Sequence, residues 1–185
     1  MKIALKKGDI GSAPKEYLHI RLSEGPKSVK YFAKESGGEE LRMQIGKSAD
    51  MNARRFILTC RSIVNAAKAN KSKKIALQFD LIPELFKNLQ NLTPEHISQL
   101  MAENFEMANF EFNLFKTEPK EGWHTVEEIL LFGKSSPSIE KAIKKGQEIG
   151  KAVNACRTLA NTPGGDITPT TLAQAAKEAM KGLPV

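Results

Sequence analysis

Residues 155–173 read ACRTLANTPGGDITPTTLA and form the most informative segment of this chain. The first seven residues contain no helix breaker, and Pro163, Gly164 and Gly165 then have the composition of a turn. Thr168 followed by Pro169 is typical of a helix start, because threonine caps free backbone amides and proline fits the first helical position. The segment therefore predicts the end of one helix, a short turn and the start of a second helix.

A long helix is predicted immediately before that turn. Ser136 followed by Pro137 marks its start, and apolar or small residues then recur every three or four positions over six turns. These positions are Ile139, Ala142, Ile143, Gly146, Ile149, Val153, Cys156, Leu159 and Ala160. A glycine inside a helix costs about 1 kcal/mol relative to alanine, so Gly146 and Gly150 predict a close approach by another helix. We expect this helix to connect two bodies.

The rest of the chain predicts short strands and amphipathic helices. Strand patterns cover residues 17–22, 29–33, 41–45, 75–79 and 126–132. Helical patterns begin at Asp50, as N-cap, and at Thr93 followed by Pro94, whereas residues 110–116 fit either a helix end or a strand. The first three strands predict an antiparallel or meandering start, and the later alternation of helix and strand predicts an α/β fold with helices on the faces of the sheet.

Composition excludes several classes of protein. The chain has 185 residues, of which 41% are hydrophobic and 26% charged, so a globular fold is expected and intrinsic disorder is not. Its longest apolar runs are a handful of residues, far fewer than the roughly 18 that a membrane span needs. Two cysteines without a CxxC pair, and lysines where a signal peptide would need its apolar core, predict a reduced cytoplasmic setting.

The positive charge of the chain is unevenly distributed. Residues 1–74 carry 17 basic and 7 acidic side chains, residues 75–130 carry 3 and 10, and residues 131–185 carry 8 and 4, for a net charge of +7. A solvated surface explains this pattern, because the lysines are scattered singly or in pairs. A nucleic-acid-binding surface on residues 1–74 is the alternative, since phosphate groups attract clustered basic side chains.

No recognisable active site is present in the sequence. It lacks the HExxH, GxSxG, P-loop and GxGxxG patterns, so neither catalytic nor metal-binding nor cofactor-binding residues are assigned. The three histidines, His19, His96 and His124, lie far apart and are expected to be structural or on the surface. Cys60 lies on an apolar helical stripe and is expected to be buried. Three carboxylates of one helix, Glu95, Glu103 and Glu106, are expected to face solvent.

Residues 155–173 closely resemble the junction segment of the leucyl aminopeptidases, two-metal exopeptidases. Eight positions agree with the family pattern: Arg157, Leu159, Asn161, Pro163, Thr168, Pro169, Leu172 and Ala173. Gly165 departs from it, because the family usually has asparagine there. Two further features are similar to the family, namely the spacing of Phe110, Phe112, Phe115 and Lys116 and the long helix after Ser136.

The resemblance implies a division of the chain into three parts. Residues 1–135 would be the non-catalytic N-terminal domain, which has a macro-domain-like mixed sheet flanked by helices. Residues 136–161 would be the interdomain linker helix, and residues 162–185 the beginning of a catalytic domain. The family's metal-binding residues come later than Val185, so the resemblance assigns neither a metal ligand nor a catalytic residue here, and we expect this chain alone to be inactive.

The resemblance also implies the activity of the parent enzyme. Leucyl aminopeptidases release N-terminal amino acids from peptides with two divalent metals, Mn or Zn, in a homohexamer of cytosolic subunits. The domain would serve assembly and access to the active site, and the resemblance also implies DNA binding, as in some bacterial members of the family. We expect a monomer or weak dimer for residues 1–185. Likeness to macro domains adds a third hypothesis, the binding of ADP-ribose or another nucleotide.

Overall fold

The computed structural model describes residues 1–34, 37–86, 89 and 92–181. Within these residues six strands form one sheet: β1 (Lys2–Lys6), β2 (Leu18–Ser23), β3 (Gly25–Ala33), β4 (Glu39–Gly46), β5 (Lys74–Gln78) and β6 (Glu128–Phe132). The helices are α1 (Ala53–Ala69), α2 (Ile82–Leu85), α3 (Pro94–Asn109), α4 (Pro137–Asn161) and α5 (Pro169–Ala179).

The strand order in the sheet is β1-β6-β5-β2-β4-β3. All neighbouring strands are parallel except β3, which pairs antiparallel with β4 at the edge of the sheet. The predicted antiparallel or meandering start is therefore right for β3 and β4 and wrong for β2, which pairs in parallel with β4. The charged N-terminus, which showed no strand pattern, forms β1, because β6 provides its hydrogen-bonding partner.

Two apolar clusters occupy opposite faces of the sheet, because successive side chains of a strand point to opposite sides. Ile75 and Leu77 of β5 belong to the larger cluster, to which α1, α3 and α4 also contribute, whereas Ala76 belongs to the smaller one. The smaller cluster is covered by the segment between β1 and β2, including Ile10 and Tyr17. The helices thus lie mainly against one face.

Most predicted helix starts are confirmed by the caps. The side chains of Thr93, Ser136 and Thr168 each accept a hydrogen bond from the backbone N–H three residues later. Asp50 is not the cap of α1, which was wrong: Asn52 accepts from the Arg55 N–H instead. Asp50 ends a short 3-10 helix (Ser48–Asp50), which shifts the start of α1. Residues 110–116 form neither helix nor strand.

Candidate functional site

Helix α4 has two halves with different surroundings. Its N-terminal half is buried against the domain through Ile139, Ala142 and Ile143. Its C-terminal half carries the predicted apolar stripe into solvent, since Val153 is 36% exposed and Cys156 is also exposed. The apolar stripe predicted over six turns is therefore continuous in the sequence, but only the first turns of α4 contact the core.

Two glycines allow α4 to approach α3 closely. A Cβ atom added at Gly146 would lie 2.3 Å from the backbone oxygen of Gln99, and one at Gly150 would lie 2.6 Å from the Cβ of Glu106. Real Cβ atoms do not make such contacts, so only glycine fits at these two positions. The prediction that these glycines serve close helix packing is confirmed.

Polar contacts join the exposed half of α4 to the end of α3. Asn154 donates a hydrogen bond from Nδ2 to the Glu106 carbonyl oxygen (2.9 Å), and Arg157 donates from Nη1 to the Met107 carbonyl oxygen (2.8 Å). The Arg157 guanidinium also lies 4.2 Å from the ring centroid of Phe110. Arg157, which belongs to the junction motif, thus joins α4 to the C-terminal end of α3. The sequence pattern alone did not indicate this contact.

The junction after α4 leads to a helix without a buried face. Asp166 and Ile167 donate backbone hydrogen bonds to the Pro163 carbonyl, which closes the turn. Nothing lies within 4 Å of a Cβ added at Gly164 or Gly165, so the Gly165 position is open to solvent. None of the residues of α5 is buried, and Leu172 is 48% exposed. The apolar edge of α4 and the side chains of α5 together are called the junction surface below.

The three histidines are not brought together. His19 is buried, with its Nδ1 2.8 Å from the Lys34 Nζ, and burial together with Lys34 lowers its pKa. His96 is exposed at the start of α3, and His124 lies 3.7 Å from a Glu121 oxygen. In the part of the chain that the structure describes, no group of three or more His, Cys, Asp or Glu side chains is arranged to hold a metal ion.

One of the three carboxylates expected in solvent is buried. Glu106 is 6% exposed because α4 covers it, and its Oε1 accepts a hydrogen bond from Gln147 Nε2 at 2.9 Å. The same Gln147 nitrogen donates to the Met1 carbonyl oxygen at 3.0 Å. Glu95 and Glu103 are partly exposed. The expectation is therefore wrong for Glu106, which connects α3 through Gln147 to α4 and the N-terminus.

The two thiols are predicted to react at very different rates. Cys60 is 1% exposed, as expected, and burial raises the pKa of its thiol, whereas Cys156 is exposed. Because the thiolate is the reactive form, we expect one thiol of the native chain to react quickly with Ellman's reagent. Cys60 should react at least about 100-fold more slowly, because the reagent reaches it only when the fold opens locally. Replacing Cys156 by serine should remove the fast phase, and two fast thiols in the native protein would contradict this arrangement.

Acidic residues of the middle segment neutralise part of the basic N-terminal segment. Lys68 pairs with Glu111, Lys71 with Glu121, Lys73 with Glu127 (2.9 Å) and Lys2 with Glu128 (3.4 Å). The Lys71 and Lys73 pairs are exposed and add little stability. All four pairs reduce the positive potential that a phosphate backbone would meet. DNA binding by residues 1–74 stays a prediction, which a salt titration with duplex DNA tests, because phosphate-dominated binding weakens steeply with salt.

A crevice opens at the carboxyl ends of the parallel strands. It has a volume of about 230 Å³ and lies between the end of β5, helix α2 and the end of β2. Its volume is smaller than the roughly 300–1,000 Å³ of ordinary small-molecule sites. None of the sequence patterns pointed to it. ADP-ribose binding stays a prediction, and calorimetry with ADP-ribose tests it.

Two arginines at this crevice share one buried carboxylate. Arg21 donates from Nε to Glu40 Oε2 (2.7 Å), and Arg42 donates from Nε to Glu40 Oε1 (2.6 Å). Glu40 is 5% exposed. Burial raises the pKa of this carboxyl group, but the hydrogen bonds from Arg42 and Arg21 outweigh burial, so the pKa lies below its usual value. Glu40 is therefore ionised at neutral pH and positions both guanidinium groups.

The substitution Glu40→Gln is expected to destabilise the fold in a pH-dependent way. We expect a loss of about 1–2 kcal/mol in the free energy of unfolding at neutral pH, less than for a fully buried pair because both arginines are half exposed. A carboxyl group whose pKa is lower in the folded state than in the unfolded state stabilises the fold at pH values above its unfolded-state pKa. That stabilisation disappears as the pH falls through the folded-state pKa. Urea unfolding should therefore show the two proteins converging in acid, whereas Glu39→Gln should have little effect at any pH.

Comparison with known proteins identifies relatives of this chain. No family model matches it. Proteins named probable cytosol aminopeptidase are 29% identical to it over 134 residues in Trichormus variabilis, 28% over 171 residues in Nostoc punctiforme and 22% over 177 residues in Bacillus subtilis. These matches cover 72%, 90% and 94% of this chain but only 25%, 33% and 32% of the relatives. The chain thus spans a quarter to a third of their length.

Solved structures share the fold. A mutant of tomato leucine aminopeptidase superimposes with a TM-score of 0.75 at 19% identity, covering 97% of this chain and 42% of that one. The bottromycin maturation enzyme BotP in complex with Mn gives a TM-score of 0.68 at 15% identity, covering 90% of this chain and 36% of that one. The resemblance to leucyl aminopeptidases and the α/β fold with a mixed sheet flanked by helices are confirmed.

Proposed function

Starting from relatives that are named cytosol aminopeptidases, we propose that this chain is the non-catalytic N-terminal domain of a cytosolic leucyl aminopeptidase, with its linker helix. The observation that carries this proposal is the junction surface: α4 exposes Val153 and Cys156 to solvent, and α5 has no buried residue. A helix with an apolar edge is stable when that edge is covered. We propose that the catalytic domain of the same polypeptide covers it.

The proposed reaction belongs to the whole enzyme. Two divalent metals, Mn or Zn, would polarise the scissile carbonyl of a peptide and activate water for release of the N-terminal amino acid. The residues of this chain would support that chemistry indirectly, by carrying the linker helix and shaping access to the active site. We also propose a cytoplasmic location and a homohexamer whose main contacts lie between catalytic domains.

Activity of the isolated chain tests where the chemistry lies. We expect purified residues 1–185 to release no leucine from leucine p-nitroanilide with added Mn²⁺ or Zn²⁺. Light scattering should show a monomer or weak dimer. Metal-dependent turnover by this chain would overturn the proposal that catalysis belongs to another part of the enzyme, and a stable hexamer would overturn the proposal about assembly. The reading frame after Val185 provides an independent check, because it should encode the acidic metal-ligand motif.

Helix α5 is expected to be weakly protected in this chain. Its 11 residues have no buried face, and isolated helices of this length are marginal in water. We expect the backbone amides of α5 to exchange with deuterium at least about 100-fold faster than the amides of α3 near Phe105. Phe105 is fully buried. Protection of α5 equal to that of α3 would mean that α5 is stable without a partner, and would remove the main support for the covering domain.

A further inference from the structure

The crevice lies where the connections of two neighbouring parallel strands diverge. From β5 the chain continues through α3 to β6 on one side, and from β2 it continues through β3 to β4 on the other side. Pairing between β2 and β5 ends at Ile20 and Leu77, and residues of both strands beyond that pair line the crevice. In open α/β sheets, ligands bind outside the carboxyl ends of the strands at such a point.

One wall of the crevice is apolar. It consists of side chains from the ends of β2 and β5 and from α2 and the residue before it: Ile20, Leu22, Leu77, Leu81, Ile82 and Leu85. Ile20, Leu77 and Ile82 are almost fully buried, whereas Leu81 is 44% exposed and stands at the rim. A cavity of about 230 Å³ with this wall fits a small ligand that carries one branched aliphatic group.

The remaining lining carries charges of both signs. Arg21 and Arg42 use their Nε atoms to bind Glu40, and among the described residues neither makes a hydrogen bond through its terminal Nη atoms. Asp9, on the loop after β1, also lines the crevice, and it forms no ion pair with either arginine within the described part of the chain. Its Oδ1 accepts from the Gly11 N–H, and the loop is attached to β5 because Ile10 N–H donates to Gln78 Oε1.

We propose that this crevice binds a free α-amino acid with a branched aliphatic side chain. The side chain would occupy the apolar wall, the carboxylate would accept hydrogen bonds from the Nη atoms of Arg21 and Arg42, and the ammonium group would pair with Asp9. A carboxylate and a guanidinium that face one cavity without touching each other match a zwitterion, which carries both charges on adjacent groups. This inference goes beyond the proposed function and does not depend on it.

Calorimetric titration of the chain with L-leucine and three analogues tests the proposal. Isocaproate lacks the ammonium group, isoamylamine lacks the carboxylate and glycine lacks the side chain. We expect leucine to bind saturably. Each analogue should bind at least about 10-fold more weakly than leucine, because it loses either a charged hydrogen bond or the apolar contact. No saturable binding of leucine at millimolar concentration would overturn the proposal, as would equal binding of leucine and isocaproate.

Substitutions locate the binding to this crevice. Arg21→Gln and Asp9→Asn should each weaken leucine binding about 10-fold, because glutamine lacks the guanidinium group and asparagine keeps the shape of aspartate without its charge. Lys47→Gln, an exposed position away from the crevice, is the matched control and should leave the affinity unchanged. Thermal unfolding of each variant confirms that it is folded. Folded variants at Arg21 and Asp9 with unchanged affinity would place leucine elsewhere and overturn the assignment.

Discussion

Replacing Phe56 by alanine is expected to lower the free energy of unfolding by about 3–5 kcal/mol. Phe56 is 1% exposed on α1, and its ring meets that of Phe86 edge to face, with centroids 5.0 Å apart. Truncation removes the buried ring, leaves a cavity and loses this aromatic contact. For a domain of ordinary marginal stability, such a loss brings a substantial fraction of molecules close to unfolding.

The Phe56 substitution should also affect the crevice. Phe86 directly follows α2, whose Ile82 and Leu85 belong to the apolar wall, so loosening Phe86 should disturb that wall. Leu58→Ala is the matched control, because Leu58 lies on the same helix but is 50% exposed and should cost well under 1 kcal/mol by urea unfolding. Equal losses for Phe56→Ala and Leu58→Ala would show that α1 does not pack as described.

The substitution Gly146→Val has the second large expected effect, a loss of about 3 kcal/mol. A Cβ at this position would lie 2.3 Å from the Gln99 carbonyl oxygen and 3.0 Å from the Ala102 Cβ. The Gln99 oxygen belongs to the backbone of α3 and cannot rotate away, so α4 must move. Valine is a better helix former than glycine, and any net loss therefore measures the packing conflict and not helix propensity.

Movement of α4 should release its other contacts with α3. The hydrogen bonds of Asn154 and Arg157 to the end of α3 depend on the same close approach. Gly165→Ala is the control, because nothing lies within 4 Å of the added Cβ and its effect should stay within about 0.5 kcal/mol. Urea unfolding followed by circular dichroism measures both changes. A Gly146→Val protein as stable as the parent would contradict the helix packing.

Errors of the sequence-based predictions occur where a distant element changes the surroundings of a residue. Glu106 looked solvated because carboxylates usually face water, but α4 covers it and Gln147 provides its hydrogen bond. Asp50 looked like a helix cap because aspartate is a common one, but Asn52 supplies that bond two residues later. Neither outcome can be read from spacing within one helix.

Local patterns were sufficient where the interaction itself is local. Sequence alone determined the caps at Thr93, Ser136 and Thr168, since each cap bond joins residues three positions apart. It also determined the apolar stripes, the close-packing glycines and, through the junction motif, the resemblance to leucyl aminopeptidases. Periodicity and spacing carry this information because a helix places residues three and four apart on one face.

Only the tertiary structure decided the strand order, the burial of half of α4 and the crevice. The pairing of β1 with β6 joins residues more than 120 positions apart, and Arg21 meets Arg42 at Glu40 only because β2 and β4 lie side by side. Strand partners at such separations depend on packing of the whole sheet, which no local pattern encodes. The charged crevice follows from that packing, and for this reason the sequence predicted a supporting domain but not the place where it could bind a ligand.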